Sequence, residues 1–427
     1  MEVGIADEVR GGWAGFAFGA GGEREIWSYR PKGLRRFLDL MPSGSINARV
    51  SSAERIKQGY ERFPYPGNDL AALIEGKGSL PALNWMQGIG RPGSLKPQRV
   101  LVAGCGTGVE AFLMRRWLPQ AEIVAIDFSP RSIAVARQLE KKAKVGRPIT
   151  FLVGDLTDAQ LGEKIGRDFD LITCHGVLSY IPQPGRALKV LATCLSEEGA
   201  LYLGVNGAGH PTVALRPWLK SFGVAVDELR DERRLRGLLQ LWDTLHDDEL
   251  GEQATMPSSY LASDVCGAHF NNWSLARWRR EARRTGWEVA GTAVLAPALH
   301  IVADDGKEKP LYPAGVGELA ERLDQIRPAG FHRIMLRRAK SAVTIWCWTG
   351  IYTVKFSETS ARLYAVSQGI RFEAKLSAAQ TDALKILLKA KVAPAGWEKT
   401  WTRTEVGRRT LWLWRGLGVV AGPDMAA

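Results

Sequence analysis

The chain predicts an α/β fold built on a doubly wound parallel sheet, and three observations carry that expectation. Apolar runs at 100–102, 122–126, 149–153 and 169–175 alternate with helix-like stretches, the order expected of parallel strands joined by crossover helices. The first run opens into Gly104-Cys105-Gly106-Thr107-Gly108, where glycines permit positive φ and a close approach of backbone N–H groups to a ligand. The later runs end on Asp127, on Gly154-Asp155 and on His175. Polar groups therefore recur at the carboxyl ends of strands, which is where open α/β sheets bind their ligands.

The glycine spacing narrows the ligand. A dinucleotide fingerprint wants its third glycine three positions after the second, but Val109 holds that place and Gly108 comes early, so a nicotinamide cofactor is disfavoured. Asp127 follows the loop by about twenty residues, the usual distance to an acid that holds ribose hydroxyls. This ordered set, over roughly residues 98–205, resembles the class I S-adenosylmethionine-dependent methyltransferases. The resemblance implies a Rossmann-like sheet with S-adenosylmethionine as cofactor. It puts the glycine loop, Ala103 to Gly108, on the methionine part, Asp127 on the ribose and Asp155 on the adenine edge. Phe128, Gly154, Leu156, His175 and Tyr60 complete the implied cofactor-binding set.

Upstream, Tyr60-Glu61-Arg62-Phe63-Pro64-Tyr65-Pro66 is similar to a Tyr-x-x-x-Pro-Tyr-Pro segment found before the glycine loop in one bacterial branch of that family. A proline-stiffened turn there is expected to act as a lid. That branch commonly continues with Arg-Trp, where this chain has Gly67-Asn68, and carries paired histidines after Gly-Val-Leu, where this chain has Ser179 and Tyr180. The histidines' acid–base duty therefore does not transfer. Tyr65, His175 and Tyr180 are the candidate catalytic residues. Each has a plain alternative: His175 can be a satisfied core residue, Asp155 a turn acid, and Asp127 a cap for the helix at Ser129-Pro130.

At 427 residues, with 45% hydrophobic and 24% charged side chains, the chain has ordinary globular composition and room for two or three domains. No apolar stretch of about eighteen residues occurs, and the acids Glu2, Asp7 and Glu8 do not suit a secretory leader, so a cytoplasmic protein without membrane contact is expected. Five scattered cysteines suggest neither a disulfide frame nor a metal site.

The expected organisation is a leader over 1–50, lid helices over 51–97 and a cofactor core over 98–206. A helical insertion over 207–268, the end of the core over 269–340 and a basic C-terminal domain over 341–427 follow. In the insertion, Leu235, Leu238, Leu239, Trp242 and Leu245 form an amphipathic stripe that suits a substrate cap, internal packing or a dimer seam. Trp273 to Gly286 reads as the last core helix, and 331–336 as a closing antiparallel strand. Past Lys340, 344–348 and 351–356 look like a hairpin, and helices near 377–389 and 404–415 suggest a small winged-helix-like module.

Most of the net charge of +12 lies beyond Gly306. The tail's tryptophans alternate with apolar neighbours as in a packed interior, so nucleic acid is a disfavoured partner. A protein, peptide or small-molecule acceptor, or pairing into a homodimer, is preferred. Methyl transfer to a protein side chain or sizeable metabolite is thus the expected activity; an RNA methyltransferase and a non-catalytic cofactor-binding regulator are the alternatives.

Overall fold

The computed structural model describes residues 51–67, 98–143, 146–245, 253–292, 321–322, 324–338, 346–348, 352–357, 360–365, 370–390, 392–416 and 419–422. The expected leader and the helical piece anticipated within 70–93 lie outside the described residues.

A seven-stranded mixed sheet organises the chain. Its strands are β1 (Arg99–Ala103), β2 (Glu122–Asp127), β3 (Thr150–Val153), β4 (Phe169–His175), β5 (Leu195–Asn206), β6 (Trp287–Thr292) and β7 (Phe331–Arg338), in the order β3-β2-β1-β4-β5-β7-β6. The first five run parallel, whereas β7 inserts antiparallel between β5 and β6. This is the Rossmann-like architecture of the methyltransferase type. The order reverses between β1 and β4, so the crevice at their carboxyl ends is the natural ligand site.

Both faces of the sheet are covered, which is why the strands read as continuous apolar runs instead of alternating ones. On one face Leu101, Ile126, Ile172 and Leu203 pack with Leu188, Leu191, Trp278 and Trp287. On the other, Val102, Ala125 and Tyr202 pack with Phe112, Met114 and Ile133. The covering helices are α2 (Val109–Trp117), α3 (Pro130–Ala143), α4 (Leu161–Ile165) and α5 (Pro184–Cys194). Trp278 and Trp287 satisfy their indole N–H groups on the carbonyls of Asn206 and Leu188 at 2.9 and 3.1 Å, so neither ring buries an orphaned donor.

Ahead of the sheet, helix α1 (Ser52–Arg62) begins where Ser51 Oγ accepts the Glu54 N–H at 3.1 Å. Ser51→Ala should remove about 1 kcal/mol from the docking of this helix, detected as faster amide exchange over residues 52–62; unchanged exchange would deny the cap its role.

The insertion forms α6 (Thr212–Ser221) and α7 (Glu232–Leu245), then a π-turn over Leu261–Val265, around a small core of Leu215, Leu219, Leu235, Leu239, Trp242 and Val265. The expected apolar stripe is only partly used, because Leu245 is 66% exposed whereas Leu235, Leu239 and Trp242 are buried. Helix α8 (Leu275–Arg284) starts on Ser274, which accepts the Arg277 N–H, and stops before Gly286 at φ +91°.

Among the described residues of the hairpin expected between 344–348 and 351–356, the two strands do not pair with each other. Residues Cys347–Trp348 (β8) instead pair with Val420–Ala421 (β12), and Tyr352–Phe356 (β9) starts a separate meander with Ser360–Ala365 (β10) and Ile370–Lys375 (β11). The reason is burial. Trp346 and Trp348 are 3% exposed, and Trp346 joins a chain of ring contacts through Trp397 and Trp401 to Trp414, which holds this segment against the C-terminal helices. Those helices include α9 (Ala378–Ala390) and α10 (Glu405–Gly416). Among the described residues no hairpin wing follows them, so the winged-helix-like comparison finds no wing here.

Candidate functional site

The carboxyl ends of β1 to β4 enclose a cavity of about 890 Å³, within the size range of small-molecule sites. Gly104, Cys105, Gly106, Asp127, Phe128, Gly154, Asp155, Leu156 and His175 line it, with Tyr60, Tyr65 and Tyr180 on the opposite side. The sheet thus gathers nearly every residue the sequence nominates. Ala103 and Gly108 are the exceptions: Ala103 is fully buried in β1, and a side chain at Gly108 would meet Phe112 and Ala136.

The glycine loop differs from expectation in one respect. Its N–H groups do not point outward to a ligand: those of Gly104 and Cys105 donate to the Ile126 carbonyl, Gly106 to Asp127 Oδ2, Thr107 to the Tyr65 carbonyl and Gly108 to the Cys105 carbonyl, all at 2.8–2.9 Å. The glycines are required by backbone geometry, with φ of +76°, +52° and +98° at Gly104, Gly106 and Gly108, and by the closeness of Val177 and Tyr65.

Asp127 joins three pieces of the site. Its carboxylate accepts Gly106 N–H on Oδ2 and Ser129 N–H on Oδ1, each at 2.9 Å, while Ser129 Oγ caps α3 by accepting the Ser132 N–H. The acid thus organises the turn while lining the cavity, and the cap of the following helix falls to Ser129. Burial raises its pKa to about 6 against the pull of those two hydrogen bonds. Asp155, by contrast, is exposed and accepts the backbone N–H and hydroxyl of Thr157 at 2.7 and 2.8 Å, a turn acid at the cavity rim.

Glu110, one residue into α2, was not anticipated. It lines the cavity, and burial pushes its carboxyl pKa up to about 7 against the opposing pull of a hydrogen bond with Thr173. The position, two residues past the last loop glycine, is the only signal the sequence offered. Two buried acids facing one cavity suit a ligand with ribose hydroxyls and cationic groups, which is the donor set of S-adenosylmethionine.

The segment over the cavity is fastened at several points. Tyr60 meets Phe128 edge-on at 5.6 Å, Arg131 donates to the Glu61 carbonyl at 2.8 Å, Tyr65 O receives Thr107 N–H, and Ser259 Oγ donates to the Pro66 carbonyl at 3.1 Å.

His175 stacks between Tyr202 and Phe331, and its Nδ1 lies 2.8 Å from the Tyr202 hydroxyl. Burial, aided by the nearby Arg333 charge, lowers its pKa to about 4. A neutral imidazole at working pH is the result. Its ring resonances should not titrate between about pH 5.5 and pH 8, the window in which an unperturbed histidine changes charge; a midpoint near 6.5 would show that this environment is misassigned.

Tyr180 sits on a short turn held by Ser179, whose Oγ accepts Asn206 N–H at 2.7 Å, and by Asn271, whose amide donates to the carbonyls of Leu178 and Ile181. The Tyr180 hydroxyl donates to Asp264, on the π-turn of the insertion.

Comparison with known proteins finds its family match in the segment that carries β1 to β5. Residues 95–208 match the family model of a methyltransferase domain. An uncharacterized protein of Synechococcus sp. is 32% identical over 177 residues, covering 40% of this chain and 39% of that protein. Malonyl-(acyl-carrier protein) O-methyltransferase of Anoxybacillus flavithermus is 33% identical over 111 residues, covering 26% and 40%. PKMT2 from Rickettsia typhi, solved in complex with AdoHcy, aligns with a TM-score of 0.48 at 15% identity over 80% of this chain and 75% of its own. The chain spans about two fifths of the length of the first curated relatives it matches. The fold and site thus define a Rossmann-like α/β domain with a cavity at its strand ends, and its segment 95–208 is similar to a methyltransferase domain.

Proposed function

We propose that the protein transfers a methyl group from S-adenosylmethionine to a protein side chain or sizeable metabolite. The observation that carries this reading is the cavity in which Asp127, anchored to the glycine loop, faces a fastened Tyr60–Pro66 segment across about 890 Å³. When bound, S-adenosylmethionine supplies a methyl group already activated on a sulfonium, with a neutral thioether as leaving group.

The chain's own residues then have to position and to exclude water. Asp127 receives the ribose hydroxyls on oxygens already oriented by Gly106 and Ser129. Glu110, on the cavity lining, supplies the carboxylate for the cationic amino-acid part. Leu156, Phe128 and Ile181 give the adenine an apolar slot, with Asp155 at its rim. Tyr60 and Tyr65 close the space over the reacting groups, and such sequestration and orientation can supply several kcal/mol of barrier reduction. His175, kept neutral, shapes the floor of the pocket.

A large acceptor is supported by a second cavity of about 460 Å³ that opens between α1 and the insertion and shares Ile56, Tyr60 and Tyr180 with the first. Nucleic acid is less well supported, since Trp346, Trp348, Trp412 and Trp414 are buried and Arg408 is paired with Glu405. A cytoplasmic setting accords with five cysteines that are all unoxidised, and no helix among the described residues is long and apolar enough to cross a membrane.

The reading is tested by incubating the full chain with methyl-labelled cofactor and soluble cell extract. Label should enter a protein or metabolite fraction as S-adenosylhomocysteine is released. Ribonuclease-sensitive label would transfer the assignment to RNA, and no turnover above a no-enzyme control would contradict it.

A further inference from the structure

One histidine outside the cofactor cavity has its hydrogen-bonding roles fixed by a neighbour. Asn271 donates from Nδ2 to two carbonyls, those of Leu178 at 3.0 Å and Ile181 at 2.7 Å, which leaves its Oδ1 turned to His269 Nε2 at 3.0 Å. That oxygen can only accept, so Nε2 carries the hydrogen. In a neutral ring the other nitrogen, Nδ1, is then an acceptor with a lone pair. Among the described residues nothing hydrogen-bonds Nδ1, which is not sealed off from solvent, and the side chain lines the cavity of about 460 Å³ between α1 and the insertion.

The segment that carries this histidine is held against the wall of the cofactor cavity. Phe270 meets Tyr180 edge-on at 5.3 Å and takes the Arg216 guanidinium over its ring at 4.2 Å, while that guanidinium donates to the carbonyls of Val226 and Val265. Asn271 N–H donates to the Ser179 carbonyl at 2.6 Å. His269 is thus fastened through its two successors to the turn that carries Tyr180, and Tyr180, with Tyr60 and Ile56, lines both cavities.

The rest of the lining narrows the occupant. Arg55 pairs with Asp227 at 3.1 Å, and Glu228 takes Arg230 at 2.9 Å and Arg62 at 3.8 Å, so each of these charged side chains of the lining already has an opposite charge. Phe63, Leu229, Ala262 and Cys266 add apolar surface. An uncharged body with one hydrogen-bond donor suits such a cavity better than a free ion does.

We propose that this second cavity is the recognition subsite for the non-reacting part of the acceptor, an uncharged apolar body whose O–H or N–H donates to His269 Nδ1. This rests on the methyltransferase reading and names the substrate class for the same protein. The reacting end of the acceptor reaches the cofactor cavity past Tyr60 and Tyr180, and His269, held in one tautomer by Asn271, selects acceptors that bring a donor.

The test uses the full chain saturated with S-adenosylhomocysteine at about pH 8, above the range in which unperturbed histidines change charge. Calorimetry with S-adenosylhomocysteine alone comes first; no binding there would be a failure of the methyltransferase reading itself. Two probe pairs are then titrated, 2-naphthol against 2-methoxynaphthalene and indole against 1-methylindole. At least one donor should bind about tenfold more tightly than its methylated counterpart, and the pair that discriminates names the group as O–H or N–H. His269→Leu should abolish that preference by weakening the donor alone, with S-adenosylhomocysteine affinity unchanged. In the wild-type complex the His269 ring resonances should shift as the donor binds, a readout that needs no substitution. No preference in either pair, a preference that persists in His269→Leu, or His269 resonances indifferent to the bound donor would overturn the assignment.

Discussion

Asp127→Ala should weaken S-adenosylhomocysteine binding by roughly ten- to a hundredfold, about 1–3 kcal/mol. The variant loses the acceptors offered to the ribose and also frees Gly106 N–H and Ser129 N–H from their common anchor. The pH dependence has a definite sign. Burial holds the Asp127 pKa at about 6 in the free protein, and hydroxyl donors favour the ionised form, so affinity should be full above that value and fall as pH drops through it. Asp158→Ala, which removes an exposed pairing with Lys164 in the neighbouring turn, should leave affinity unchanged. Calorimetric titration of the three proteins at two pH values decides; equal affinity for Asp127→Ala and wild type would remove this acid from the cofactor site.

Gly106→Ala should be comparably damaging through a different route. A methyl group there would stand 2.3 Å from the Tyr65 carbonyl, at a residue whose φ is +52°. Backbone strain and the clash together cost about 2–4 kcal/mol, and the least resistant response is for the Tyr60–Pro66 segment to lift away, breaking the Thr107 N–H to Tyr65 O bond. Turnover should therefore collapse, and protease cleavage within residues 60–67 should accelerate. Gly59→Ala is the matched control because nothing lies within 4 Å of the added methyl. Wild-type protease resistance in Gly106→Ala would show that the segment does not rest on the loop.

The cofactor half of the site was legible in the sequence because its chemistry is local to strand ends. Asp127 ends β2, and Gly154 and Asp155 come next after β3, so finding the strands finds them. The contacts between the Tyr180 turn and the insertion were not, because they join distant segments. Asp264 lies 84 residues from the Tyr180 hydroxyl it accepts, in a stretch whose only pattern was apolar packing. Glu110 could have been flagged by its place after the loop, but its burial is a property of packing. The roles of Ser179 and Tyr180 likewise became clear only from partners: Asn206 for one and Asp264 for the other.

The failed hairpin teaches the converse lesson. Alternation correctly marked Trp346 and Trp348 as interior, yet pairing was decided by which buried surface was nearest, and that surface belongs to Val419 and Val420 at the far end of the chain. The glycine loop shows a third kind of gap. Its spacing correctly indicated a tight turn, but where each N–H points depends on Ile126, Asp127 and Tyr65, which converge only in the fold.

A crystal structure of the full chain grown with S-adenosylhomocysteine tests the central claim most directly. The ribose hydroxyls should lie against Asp127, the adenine between Phe128 and Leu156 beside Asp155, and the homocysteine along Gly104–Gly106 toward Glu110, with its sulfur facing Tyr65 and Tyr180. A ligand seated elsewhere, or no ligand in this cavity at a saturating concentration, would contradict the account.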